Sequence, residues 1–354
     1  MTYFNQAIVA AGAEDLLDLR SDMGKALTYG DTYLGDLGRR SGGFIFSRML
    51  SEHEVSVAKF ESLVHSSRRL LGNAKDHLDD TIDAYVTAEA GNVDEIIRMW
   101  SALEADPGSQ PLGPAPAGSP TSGRLPSEVL TPPDGTTDHW IWNVLSWPDY
   151  LSFGTWIRKI ISWVGELFGI DDLWMWLWEW LGGDFNKIAD VGDAWEKLGD
   201  CFSELSSELS TRMQVMFTGW NDSDDATAAG LYFTKAVEVL GSCENPLSQL
   251  GDLYRYIAFS SFGFFQAIYS AVDAAIDAAI AALLGFGSIA EAIAALFTGG
   301  ATAIAAVISA FASIVAQMSS FWGWMMTAVY AIVGLASLLG VATTDVEWVV
   351  LPEG

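Results

Sequence analysis

The sequence predicts an all-α protein, on three observations. Apolar residues recur at steps of three and four over long stretches. Pro and Gly are concentrated in one segment rather than spread between short strands. Residues 271–344 are an Ala-rich run with almost no charge. The predicted order is a helical N-terminal domain, an antiparallel helical hairpin and an Ala-rich hydrophobic helical hairpin.

Residues 1–104 read as the N-terminal domain, with Leu63, Leu70, Ala74, Leu78 and Ile82 on one helical stripe. Residues 105–138, "DPGSQPLGPAPAGSPTSGRLPSEVLTPPDGTTD", are Pro/Gly/Ser-rich and read as an extended linker that cannot bury a core. Residues 139–185 hold nine tryptophans. Trp156, Ile160, Trp163 and Leu167 form a stripe, while "DDLWMWLWEWLGG" has no polar face. Aromatic core and an interfacial segment at headgroup depth are both open readings of this stretch.

Residues 186–270 read as the helical hairpin. Its first stripe is Leu198, Phe202, Leu205, Leu209, Met213, Met216/Phe217 and Trp220, with Glu196, Glu204 and Glu208 on other faces. After the turn "WNDSDD", Asp222 or Asp224 is placed to cap the next helix, with Asp225 near its positive end. Ala229, Phe233, Ala236 and Leu240 form the facing stripe, and "GSCENP" interrupts it at 241–246. Trp220 then seals the end of the seam. Cys201 and Cys243 lie equidistant from Asp222, so a disulfide across the hairpin and two buried thiols are alternative readings.

Residues 271–344 form the Ala-rich region, followed by a short tail, 345–354. No Lys or Arg follows Arg255, and no charge lies between Glu291 and Asp345. The uncharged run exceeds the roughly 20 residues of one bilayer span. Ala301, Ala305 and Ser309, then Ala312 and Ala316, would permit close helix contact. The missing basic flanks argue against ordinary co-translational insertion. A concealed hairpin released later and a buried core pair are the two readings.

Charge narrows the function. Asp+Glu number 45 against 18 Lys+Arg, a formal net charge of −27, so no nucleic-acid partner is expected. The N-terminus "MTYFNQAIVAAGAEDLLD" lacks the basic and apolar regions of a signal peptide. The four histidines, His53, His65, His77 and His139, show no metal-ligand spacing, and His65 and His77 read as a solvated face. "NDSDD" lacks the Gly and terminal Glu of a calcium loop. No catalytic residue, cofactor or metal site is expected, and the chain does not read as an enzyme.

"WNDSDDATAAGLYFTKAVEVL" resembles the turn and second helix of the WXG family of type VII (ESX-like) secretion substrates, through Trp220, Ala228–Ala229 and Phe233. The preceding "WIRKIISWVGELFGIDD" and "LGGDFNKIADVGDAWEKLG" look like the region before the hairpin in long actinobacterial members. The likeness spans about 140–345. Asp222 replaces the motif's glycine, and Asp tolerates left-handed backbone better than most residues. The tail "DVEWVVLPEG" leaves no toxin domain of the kind such long members often carry. The resemblance implies export without a signal peptide, to the medium or cell surface, and a secretion ATPase or chaperone as partner. It also implies a YxxxD/E export signal, for which Tyr85–Glu89 and Tyr269–Asp273 are the candidates. Tyr85 is preferred as the more accessible. A non-secreted helical partner or carrier, and a conventional integral membrane protein of a salt-adapted organism, are the alternatives.

Overall fold

Every residue of the two predicted hairpin stripes is inside the molecule. In the computed structural model, which describes residues 3–35, 37, 44–87, 93–100, 109–116, 123–134, 185–284 and 301–352, the positions from Leu198 to Trp220 and from Ala229 to Leu240 are buried. The fold is all-α. Its helices are α1 (Gln6–Tyr33), α2 (Phe44–Thr87), α3 (Val93–Trp100), α4 (Phe185–Met216), α5 (Asp224–Ser242), α6 (Glu244–Leu284) and α7 (Ala301–Val349). The Trp-rich segment lies outside the described residues, apart from Phe185.

Helix α4 is the centre of the bundle. It packs on α1, α5 and, most extensively, α6. The α4–α6 approach is set by two glycines. A Cβ on Gly192 would lie 2.8 Å from the Gly251 carbonyl oxygen, and a Cβ on Gly251 2.7 Å from that of Gly192. No side chain fits between the backbones there. Helix α7 lies against α6 and α2. Its seam is Ile314, Met318, Phe321, Met325, Ile332, Leu339, Val346 and Val349, all buried. This differs from the small-residue seam expected from sequence, since Ser309, Ala312 and Ala316 are exposed. Large side chains give more dispersion contact than Ala, so they take the inner face.

The Pro/Gly/Ser-rich stretch is no free linker where it is described. The Leu112 N–H donates to the Gly230 carbonyl (3.0 Å) and the Ala115 N–H to that of Gln214 (3.0 Å). A 3-10 turn, Pro126–Val129, packs on α4 and α1. There the Ser127 N–H and hydroxyl donate to the two oxygens of Asp22, at 2.7 and 2.6 Å. Burial pushes the Asp22 carboxyl up, but donation from Lys25 and Ser127 outweighs it and holds the group below its ordinary value. Tyr29 and Lys197 donate to the carbonyls of Thr131 and Pro132. A Pro-rich chain builds no core, yet its carbonyls accept from helix side chains, and so it straps α1, α4 and α5.

Two further expectations change, and the tail finds its place. Glu208 is buried rather than solvated, because Arg212 follows one turn later and donates to it at 3.2 Å. His77 is buried, with Nε2 2.9 Å from the Pro352 carbonyl oxygen. The tail is docked: Asn73 donates to the Leu351 carbonyl at 2.6 Å, and Ser66 to Glu347 at 3.1 Å.

Candidate functional site

The turn between α4 and α5 is built around an aromatic cluster. Antiparallel packing of the two helices brings Ser206 to the Val237 carbonyl at 2.8 Å and Phe217 to Phe233 at 6.2 Å. Trp220 is fully enclosed. Phe217 stacks beside it at 6.0 Å, and the edges or faces of Trp100 and Phe4 meet it at 6.1 and 6.2 Å. Phe4 was not anticipated. Residues Tyr3–Phe4 (β1) pair antiparallel with Trp220–Asn221 (β2), matching Tyr3 to Asn221 and Phe4 to Trp220. The Asn5 N–H extends the contact to the Gly219 carbonyl at 2.6 Å. The N-terminus thereby clips the turn shut.

Asp222 has φ 58°. That is the left-handed conformation for which Gly is favoured and Asp tolerated. It is not the cap. Ser223 caps α5, accepting from the Ala226 N–H at 3.3 Å, because its backbone is extended (φ −141°, ψ 157°) and Asp222's is not. The break between α5 and α6 narrows to Cys243, and Pro246 falls within the first turn of α6.

The export-signal candidates separate. Tyr85 is half-buried and locked. Its ring stacks on Phe4 at 4.0 Å and 6°, and its hydroxyl donates to Oδ2 of the wholly buried Asp225 in a short hydrogen bond. Burial first, then the Asp225 carboxylate, push its phenol up to about 12. Tyr85 is therefore part of the turn's packing, contrary to the accessible site expected of it. Glu89 lies outside the described residues. Tyr269 and Asp273 fall within α6, and their side chains are likewise outside the description.

The cysteines are free and buried. Their surroundings differ: Asp22 of α1 acts on Cys201, and Asp345 of α7 on Cys243. Burial raises both thiols, Cys243 to about 12. Among the described residues no three His, Cys, Asp or Glu side chains gather as a metal site. His53 is buried instead between Tyr254 (2.7 Å) and the Leu34 carbonyl (2.8 Å), where burial lowers its pKa against the pull of the Leu34 carbonyl.

The second feature is the outer face of α6 and α7. Tyr256, Phe259, Tyr330, Leu338, Val341 and Trp348 all stand out into solvent, Trp348 at 76% exposure. A shallow apolar groove of about 510 Å³ runs between the helices beside Tyr256, Leu253, Ala331 and Leu335. The span Ala312–Val349 contains an 18-residue window of mean hydropathy 2.0, of which 44% is buried. The rest of that window is exposed or only partly covered, so α7 presents an apolar outer face. No protein-family model, curated protein or solved structure matches the chain.

Proposed function

We propose that this chain is a non-enzymatic protein exported by a type VII secretion system, whose α6–α7 region offers a hydrophobic surface for membrane association or oligomerisation. The observation that carries the proposal is the outer face of α7. It is long, uncharged from Ala301 to Thr344 and half uncovered, on a molecule of net charge −27. Apolar surface of that extent is costly in water and is retained where something covers it. The export half of the reading is supported by the turn. A buried Trp220, left-handed backbone at Asp222, and Ala229 and Phe233 facing α4 are the features expected of a WXG-like hairpin. A secretion ATPase or chaperone is the corresponding partner, and the medium or cell surface the destination.

With Tyr85 held in the turn, Tyr269–Asp273 becomes the preferred signal pair. Export of Tyr269→Ala and of Tyr85→Phe, compared in the native host, tests this. The proposal expects Tyr269→Ala to remain in the cytosol and Tyr85→Phe to leave the cell when its fold is retained. Secretion of both at the normal level would remove the export assignment. A conventional membrane anchor is the second reading, favoured by the hydropathy of Ala312–Val349. Against it, Asn73, His77, Ser66 and Arg69 all grip the end of α7 and its tail. Extraction from membranes by carbonate would exclude the anchor, and a requirement for detergent would establish it.

A further inference from the structure

Arginines are scarce on this acidic chain, yet two of them cross the α1–α2 seam reciprocally. Arg20 of α1 lies over Gly72 of α2: a Cβ there would be 3.0 Å from Arg20 Cζ and Nη1 and 3.2 Å from Nε. Arg68 of α2 lies over Gly24 of α1, where a Cβ would be 4.0 Å from its Cζ. The Arg68 Nε–H donates to the Arg20 carbonyl at 3.3 Å, which leaves its other N–H groups available. With 45 carboxylates available, none of the described ones pairs with either guanidinium. Both arginines line a polar cavity of about 640 Å³ with His65, Arg69, Asn73, Asp76 and Asp80. Arg69 is already engaged by Glu347 (3.5 Å), and Asp76 lies 3.7 Å from Lys75.

We propose that Arg20 and Arg68, with His65 beside them, form a binding site for a single phosphate group carried by a small molecule or a lipid headgroup. Two guanidiniums that line one cavity with no described carboxylate paired to either repel each other, and a dianionic oxyanion accepting from both removes that repulsion. Their planar forks suit phosphate geometry better than ammonium groups would. Asp76 and Asp80, which line the same cavity, and the net charge of −27 repel extended polyanions, so a single phosphate group is the fitting ligand and not a nucleic-acid backbone. This inference is independent of the export reading.

The test titrates the full chain with inorganic phosphate at constant ionic strength, set with chloride, following heat and the His65 ring resonances. Saturable binding with a shifted His65 signal is expected, weakened about tenfold for each arginine removed in R20Q, R68Q and the double variant. Arg20 is exposed and Arg68 half-buried, and an unchanged unfolding midpoint verifies the fold of each variant. Vesicles of phosphatidylcholine with and without phosphatidic acid separate the two sources. Binding to phosphatidic acid that phosphate displaces identifies a headgroup site, and phosphate binding alone identifies a soluble ligand. A response no greater than that to chloride, or equal phosphate binding by the double variant, would overturn the proposal.

Discussion

Replacing Tyr85 by Phe isolates one hydrogen bond at the turn. The ring keeps its stack on Phe4, while the hydroxyl that donates to Asp225 is lost. Asp225 is wholly buried, and its Oδ1 has no partner among the described residues. The variant thus leaves an enclosed carboxylate with no side-chain donor. Hydrogen bonds to charged groups are worth about 1.5–3 kcal/mol, and removing one partner exposes the desolvation cost of the other. The N-terminal end of α5 softens that cost. A loss of about 2 kcal/mol is expected. Chemical denaturation of the wild type, Tyr85→Phe, Asp225→Ala and the double variant forms a cycle. The coupling between the two sites should be at least about 1 kcal/mol. Equal midpoints for wild type and Tyr85→Phe, or strict additivity, would refute the structural role given to Tyr85.

The remaining predictions concern the core, the thiols and acid. Trp220→Ala should cost about 3–5 kcal/mol in denaturant unfolding, since the whole indole is enclosed. A thiol reagent should leave Cys201 and Cys243 unmodified in the native protein and label both in denaturant, and reductant should not change the unfolding midpoint. Acid should destabilise through His53 and Asp22. His53 has a folded pKa below the unfolded 6.5, so its stabilisation is present above that pH and falls away as pH drops toward the folded value. Asp22, lowered from 3.8, contributes above that value and is lost as pH falls through its folded pKa. Asp15 and Asp200, both raised chiefly by burial, act in the opposite sense. His53→Gln should flatten the upper part of the acid limb in pH-dependent unfolding, and Asp22→Asn the lower part. Gly251→Ala should destabilise by at least about 1 kcal/mol, because the Gly192 backbone cannot yield as a side chain would.

Much of the fold was legible because helical burial is periodic. The stripes from Leu63 to Ile82, Leu198 to Trp220 and Ala229 to Leu240 are all inside, as three-and-four spacing requires. The strained turn was legible through chemistry, since Asp is among the few residues that accept the left-handed conformation found at Asp222. What escaped was long-range. Two residues of strand at Tyr3–Phe4 carry no periodic signal, so their pairing with Trp220 could not be read. The Tyr85–Asp225 bond spans 140 residues and looks from sequence like two surface polars. In "NDSDD" three capping residue types stand in a row, and only backbone angles select Ser223. Composition correctly denies the Pro-rich stretch a core, yet says nothing of carbonyls docking on helix side chains. For Glu208 a signal was present: Arg212 one turn later is the partner a buried carboxylate needs.

The most direct test of the export and surface-association account is fractionation of the native host into cytosol, membrane and medium, with and without a functional type VII secretion ATPase. The account predicts that the chain reaches the medium or the cell surface only when the ATPase works, and that any membrane-bound fraction is released by carbonate. Tight membrane association that is independent of the ATPase would contradict it and make Ala312–Val349 an ordinary anchor.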